Sequence, residues 1–334
     1  MIRIAINGFG RIGRTFLRTL LQDSKVHEHI QLVALNLGPA NPKDLVYSVK
    51  YDSIMGTYPG PLSYENNILK ANNFSIAILT QKDAEQLPWK ELAIDWVIDA
   101  SGKFTQRAQA QKHLTAGAKK VLITAPATDE DVSVVPGVND HAYHAEHRII
   151  SLGSCTTNAL APILHVIHNA FEIQQASLTT IHSYTNSQVL LDVENPKTRL
   201  SRAAAINMIP STTGASQVIG RIIPALDGKI VGSSVRVPLA IVSLVDIVML
   251  VKKAPSKDGV NRQFETACQR ELKNIMAVTY EPLVSSDFAG DPHSVTVDGS
   301  LTHASDNLIK VFGWYDNEWG YSTRLKDFLL KQAR

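Results

Sequence analysis

The chain has little cysteine, two residues in 334, and its charges nearly cancel, with 33 Lys and Arg against 31 Asp and Glu. One pair, Cys155 and Cys268, is too thin a framework for a chain of this size. A disulfide scaffold is therefore excluded, and a reducing, cytoplasmic setting is expected in which a thiol can do chemistry. A net charge of +2 gives no reason to expect nucleic acid or an anionic membrane as partner. Long apolar runs are also missing. The longest, Val235 to Val251, contains Arg236, Pro238 and Asp246 and falls short of the roughly 20 apolar residues a spanning helix needs. Its Val and Ile content reads as one long buried strand, suited to a subunit interface. No charged and apolar leader precedes the strand-like run Ile2 to Ile6, so no signal peptide is expected.

What is present is length and rhythm. A chain of 334 residues exceeds one ordinary core, so two domains are expected. The first half alternates strand-like runs (Ile2 to Ile6, Gln31 to Leu35, Trp96 to Ile98, Val121 to Ile123) with helical segments (Arg11 to Leu21, Pro42 to Tyr51, Arg107 to Ala118). That alternation implies an α/β fold with a doubly wound parallel sheet. Leu62 to Leu79, punctuated by Asn66-Asn67 and Asn72-Asn73, reads as a small antiparallel excursion. After Cys155 a helix, Ala159 to Phe171, leads into β-branched strands such as Ser177 to Ile181, the character of an α+β domain. Thr323 to Gln332 is helical without a sheet of its own, so it is expected to pack back on the first domain.

Gly8-Phe9-Gly10-Arg11-Ile12-Gly13 follows a strand and opens a helix, the context that makes a glycine pattern a dinucleotide fingerprint. Gly8 permits the tight turn and Gly10 a close backbone approach to a pyrophosphate. Gly13 lets helix and strand pack, and the helix N-terminus attracts the anion. After Ala34-Leu35-Asn36, however, Leu37 stands where an acid would hold the adenosine ribose. That lowers the barrier to NADP without supplying an anion partner. Lys82 is the candidate for such a partner, although a solvated surface lysine is the commoner case.

Cys155, in Ser154-Cys155-Thr156-Thr157-Asn158, opens a helix, whose positive end is expected to lower the thiol pKa. Ser154, Thr156 and Thr157 cap that helix or donate to an anion. His182 ends a downstream strand, and a helix out followed by a strand back would return its imidazole to the thiol as a base. The other ten histidines have no such setting.

These two segments resemble the phosphorylating glyceraldehyde-3-phosphate dehydrogenase family. The likeness extends through Ile6-Asn7-Gly8-Phe9-Gly10-Arg11-Ile12-Gly13-Arg14, Lys50-Tyr51-Asp52-Ser53, Ala116-Gly117-Ala118-Lys119-Lys120-Val121, Arg202-Ala203-Ala204-Ala205 and Trp314-Tyr315-Asp316-Asn317-Glu318-Trp319-Gly320-Tyr321. The resemblance implies a Rossmann-type NAD(P)-binding domain over 1–154, with the terminal helix 318–334 packed on it, and a catalytic domain over 155–317 with a mostly antiparallel sheet. It implies that Cys155 attacks the aldehyde of glyceraldehyde 3-phosphate and that His182 takes the adduct's proton. Inorganic phosphate then cleaves the thioacyl enzyme to give 1,3-bisphosphoglycerate. Asn317 holds the nicotinamide amide with Tyr321 packed nearby, and Ser101 and Thr124 join the cofactor contacts. Ser154, Thr156, Thr185, Thr213, Gly214 and Arg236 form two anion sites, with a forked guanidinium at Arg236. No metal is implied, and a homotetramer is.

Some positions depart from the family pattern. Ser187 and Leu200 replace an Asp and an Arg common in bacterial members, which predicts weaker phosphate affinity. Val193 and Glu194 stand in the loop from Gln188 to Leu200, where Leu and Pro are frequent. Glu194 opposes a 2′-phosphate whereas Leu37 admits one, so NAD is the expected cofactor and NADP its alternative. Erythrose-4-phosphate dehydrogenase, which shares the Cys and His but releases the acid by hydrolysis, and a noncatalytic binding member of the fold are the competing readings.

Overall fold

The computed structural model describes residues 1–333 and divides into two compact units. One comprises Met1–Pro136, Asp140–Gly153 and the chain from Ser322 onward; the other comprises Gly137–Asn139 and Ser154–Tyr321.

The first unit is built on β1 (Ile2–Asn7), α1 (Arg11–Gln22), β2 (Ile30–Asn36), α2 (Leu45–Lys50) and a short hairpin of β3 (Tyr51–Asp52) and β4 (Gly56–Thr57). There follow β5 (Leu62–Glu65), β6 (Ile68–Ala71), β7 (Phe74–Leu79), β8 (Trp96–Asp99), α3 (Arg107–Thr115), β9 (Lys120–Ile123), β10 (Val132–Ser133) and β11 (Ile149–Ser151). The sheet order is β10-β11-β9-β8-β1-β2-β7-β6-β5. The order reverses between β1 and its neighbours β2 and β8, both parallel to it, and this is where open α/β sheets bind ligands. The asparagine-turned excursion lies inside this sheet: β6 is antiparallel to both β5 and β7, and β7 returns parallel to β2. Asn66, Asn67 and Asn72 take φ of 50°, 60° and 48°, a conformation asparagine tolerates in turns. Ala5, Ala34 and Val97 of the central strands pack with Trp89 and Ile94 into one core.

The second unit holds α4 (Cys155–Phe171), β12 (Ile173–Ser183), β13 (Ile209–Thr212), α5 (Ala215–Ile222), β14 (Ile230–Val237) and β15 (Ser243–Val251). It continues with α6 (Lys257–Gln269), β16 (Met276–Thr279), β17 (Val295–Asp298), β18 (His303–Ser305), β19 (Leu308–Tyr315) and the start of α7 (Trp319–Gln332). Its sheet runs β13-β14-β12-β15-β19-β17-β16, with β18 on β19, and most pairs are antiparallel. β15 and β19 alternate buried and partly exposed residues with period two, as strands covered on one face do.

One expectation fails here. Val235 to Val251 is not a single strand: β14 ends at Val237 and β15 begins at Ser243. Pro238 cannot donate to a ladder and ends the first, Val242 turns through φ of 67°, and the two strands flank β12, one parallel and one antiparallel to it. Among the described residues no helix is long and apolar enough to cross a membrane.

Arg18 on α1 is 2% exposed, and its guanidinium donates to the carbonyls of Gly56 (2.9 Å), Met55 (3.4 Å), Val49 (2.8 Å) and Lys50 (3.0 Å). It thereby ties α1 to the end of α2 and the β3–β4 hairpin. Arg18→Met should lower unfolding stability by about 3 kcal/mol, since buried carbonyls lose a charged donor. Urea unfolding checks this, and a loss below about 1 kcal/mol would mean the cation only fills space.

Candidate active site

Cys155 is the first residue of α4. Ser154 is its N-cap, its Oγ accepting from the Thr157 amide (3.0 Å) and lying 2.9 Å from Thr157 Oγ1. His182 is the penultimate residue of β12, and the parallel register pairs it with Arg236 on β14. As a result Cys155 Sγ lies 3.5 Å from His182 Nε2, while Arg236 Nη1 lies 2.7 Å from His182 Nδ1 and donates to the Ser183 carbonyl at 3.1 Å. Nδ1 is also 2.7 Å from that carbonyl. The two Nδ1 contacts demand opposite tautomers. Donation from Nδ1 to Ser183 O leaves the Nε2 lone pair facing the sulfur, whereas acceptance from Arg236 puts the proton on Nε2.

Burial, then Arg236, pushes the His182 pKa down to about 4 against the weaker pull of the Ser183 carbonyl, so the imidazole is neutral near pH 7 and able to accept a proton. The thiol behaves otherwise than its position at a helix start predicts. Although Cys155 is only half-buried as a residue, desolvation raises its pKa. Arg236, the Thr156 hydroxyl and the backbone amides of Thr156 and Cys155 pull it down without prevailing. The N-terminal donors exist, but loss of water outweighs them.

The remaining expected residues fall into separate settings. Thr156 Oγ1 is 3.0 Å from the Tyr315 hydroxyl, which reaches Thr180 Oγ1 at 2.8 Å, so Tyr315 bridges the start of α4 to β12. Asn317, 6% exposed, accepts through Oδ1 from Ser183 Oγ (3.0 Å) and Ser243 Oγ (3.3 Å), which fixes its amide with Nδ2 outward from those hydroxyls. Tyr321 is buried, and desolvation raises its hydroxyl pKa. Thr185 bonds Ser187 Oγ (2.9 Å) and Gln188 (3.3 Å). Thr213 caps Ala215 at 3.2 Å, and Gly214 opens α5 without a side-chain cap. Neither Thr185 nor Thr213 is hydrogen-bonded to the Cys155–His182–Arg236 chain among the described residues. The connecting groups Ser183, Ser243 and Tyr315 were not singled out in the sequence, because a hydroxyl carries no spacing signal.

The nucleotide turn fits a dinucleotide. Gly8 has φ of +100°, and a Cβ there would stand 2.6 Å from the Ser101 nitrogen; one at Gly13 would strike the Gly8 carbonyl oxygen. At Gly10, the N-cap of α1, a Cβ would meet nothing within 4 Å and no side chain caps the helix. Glycine here thus leaves no side chain beside the first turn of α1, which suits close approach of a pyrophosphate to the backbone. The Arg11 guanidinium is held by Asp52 at 2.6 Å; burial opposes ionisation of Asp52, but Arg11 and the Met55 and Ile54 amides hold its carboxyl down at about 2. The Arg14 guanidinium covers the Phe9 ring at 4.8 Å, and Ile12 is half-buried. Leu37 is half-buried with its amide bonded to Leu79, Lys82 is exposed, and the Thr124 amide bonds the Asp99 carbonyl.

The depressed His182 pKa has a measurable consequence. In the unfolded chain the imidazole takes its proton near 6.5, in the folded protein only near 4. Between these values the unfolded state binds more protons, so stability is lost as pH falls from about 6.5 toward 4. By pH 5 this one group should remove about 2 kcal/mol. Denaturant unfolding of wild-type protein and His182→Gln at pH 7.5 and pH 5 checks it: the variant should lose that much less, and equal losses would contradict the assignment.

Comparison with known proteins is consistent with this geometry. Residues 2–107 match the family model "Glyceraldehyde 3-phosphate dehydrogenase, NAD binding domain", and residues 154–317 match its C-terminal domain. The chain is 44% identical over 329 residues to glyceraldehyde-3-phosphate dehydrogenase 1 of Bacillus cereus, covering 98% of this chain and 97% of that protein. It is 46% identical over 330 residues to glyceraldehyde-3-phosphate dehydrogenase 2 of Trichormus variabilis, with the same coverage. To the Pseudomonas aeruginosa glyceraldehyde-3-phosphate dehydrogenase it is 44% identical over 333 residues, covering 99% and 98% of the two chains. With a dinucleotide turn in one unit, a cysteine–histidine–arginine chain in the other and matches across both, the chain belongs to the glyceraldehyde-3-phosphate dehydrogenase family.

Proposed function

We propose that this oxidoreductase oxidises glyceraldehyde 3-phosphate with NAD and inorganic phosphate to 1,3-bisphosphoglycerate through a thioacyl intermediate on Cys155. The observation that carries the reading is Cys155 Sγ at 3.5 Å from His182 Nε2, with Arg236 on the far side of the imidazole. A neutral His182 takes the thiol proton as sulfur adds to the aldehyde carbon and returns it to the alkoxide that forms, so that the hemithioacetal carries a hydroxyl and the imidazole is neutral again. The base then accepts the hydroxyl proton of the hemithioacetal, which drives collapse to the thioester. In the first unit the α1 N-terminus and the turns at Ser101 and Thr124 would hold NAD, which would supply the hydride acceptor; in the second, Asn317 and Tyr321 are the residues we assign to the nicotinamide. Phosphate oxygen attacks the thioacyl carbon, the C–S bond breaks, and the thiolate leaves with the acyl phosphate formed.

Arg236, with Ser154, Thr156, Thr185, Thr213 and Gly214, forms the positive and hydroxyl-lined region for the two anions. An anion engaging Arg236 draws its fork off His182 Nδ1, leaving Nδ1 to Ser183 O and Nε2 basic toward the sulfur. Two free thiols suit a cytoplasmic setting. Leu190, Leu191, Ile206 and Met208, between 74% and 80% exposed, support a homotetramer in which these apolar side chains are covered. NAD is the preferred cofactor, and the lack of an acid at Leu37 supports some acceptance of NADP.

A steady-state assay with glyceraldehyde 3-phosphate and erythrose 4-phosphate, NAD and NADP, with and without phosphate, tests the reaction. Phosphate should accelerate turnover of glyceraldehyde 3-phosphate; turnover no faster with phosphate than without overturns the phosphorylating reading, and an NADP preference overturns the cofactor assignment. Sedimentation should give four copies of the 36.6-kDa chain, and a monomer at micromolar concentration rejects the tetramer.

A further inference from the structure

The last residues of three adjacent parallel strands stand in register: Asn36 of β2 opposite Asn7 of β1, and Asn7 opposite Asp99 of β8. All three are buried, 2% to 5% exposed. Asn36 Nδ2 donates to Asn7 Oδ1 at 2.7 Å, and Asn7 Nδ2 donates to Asp99 Oδ2 at 2.6 Å. Asp99 Oδ1 accepts from the Ser101 amide (3.2 Å) and hydroxyl (2.8 Å). Behind this row His113 of α3 places Nε2 3.2 Å from Asp99 Oδ2, and Trp89 donates to His113 Nδ1 at 3.1 Å. Both aromatic residues are 0% exposed.

The indole N–H is only a donor, so His113 Nδ1 accepts and the ring's proton sits on Nε2, directed at Asp99. The four acceptor directions of the carboxylate are thus filled by Asn7, His113 and, twice, Ser101. Asn7 immediately precedes Gly8, and Ser101 is the residue whose backbone Gly8 nearly touches. Asp99 therefore joins the two turns that face the dinucleotide.

We propose that His113, held in its Nε2–H form by Trp89, is a positioning residue for NAD. By saturating Asp99 it keeps the glycine turn seated against the Ser101 turn and leaves no unfilled carboxylate lone pair beneath the pyrophosphate. This rests on the reading of NAD as cofactor. Losing the donor leaves a buried anion short of a partner, which either pulls the turn out of place or sets negative potential against the phosphates.

Two substitutions separate the contacts. In His113→Asn the amide oxygen can replace Nδ1 toward Trp89 but nothing reaches Asp99. In His113→Gln the amide nitrogen replaces Nε2 toward Asp99 and the Trp89 contact is lost. With NAD titrated calorimetrically into the purified full-length protein, His113→Asn should bind roughly tenfold more weakly, the scale of one hydrogen bond to a charged group. His113→Gln should stay within about twofold of wild type, although both lower Tm and neither alters iodoacetamide alkylation of Cys155. Equal affinities for the two variants, or affinities that simply follow Tm, overturn the proposal. Should His113→Asn not fold, Asp99→Asn, which must turn a donor toward Asn7 or His113, should weaken NAD by the same factor; unchanged affinity overturns it equally. A wild-type protein that binds no NAD defeats the cofactor reading itself, whereas wild-type binding with unseparated variants defeats only the role of His113.

Discussion

The parallel pairing of β12 with β14 sets His182 directly beside Arg236, and the chemistry proposed for the second unit depends on that register. A slip of one residue would turn the imidazole to the other face of the sheet and leave the α4 N-terminus with a thiol and no base. The register is held by burial: Leu178, Thr180 and His182 are alternate buried residues of β12, and the antiparallel partner β15 repeats the alternation. Packing of ordinary side chains thus places the candidate pair to within hydrogen-bonding distance.

The electrostatics follow from the same burial. Desolvation keeps the His182 imidazole neutral and also raises the thiol, so neither group is activated in isolation. Arg236 lowers the pKa of both, favouring thiolate at Cys155 and disfavouring imidazolium at His182. A cation at this position biases the site toward a base facing a sulfur, the pairing that proton removal from a thiol adduct uses.

The first unit solves a different problem with the same means. A glycine turn that must approach a pyrophosphate cannot brace itself with side chains, so rigidity has to come from beneath. The row Asn36, Asn7 and Asp99 supplies it from strand ends whose backbone spacing is already fixed by the parallel sheet. His113 and Trp89 close the row from behind.

The sequence by itself determined most of the elements and singled out the candidate chemistry-bearing residues. The glycine turn after β1, the helix opening at Cys155, the asparagine turns and the histidine at a strand end are local, because each depends on backbone conformation or periodicity over a few residues. It misread Val235 to Val251 as one strand, since composition outweighed Pro238, and it took the helix start to lower the Cys155 pKa when the larger influence, loss of water, comes from distant chain segments. Only the tertiary structure decided that Arg236 lies against His182, 54 residues away, that Tyr315 bridges Thr156 and Thr180, and that His113 lies under Asp99. The physical reason is common to all three: strand order and helix packing choose which remote side chains meet, and no local periodicity records that choice.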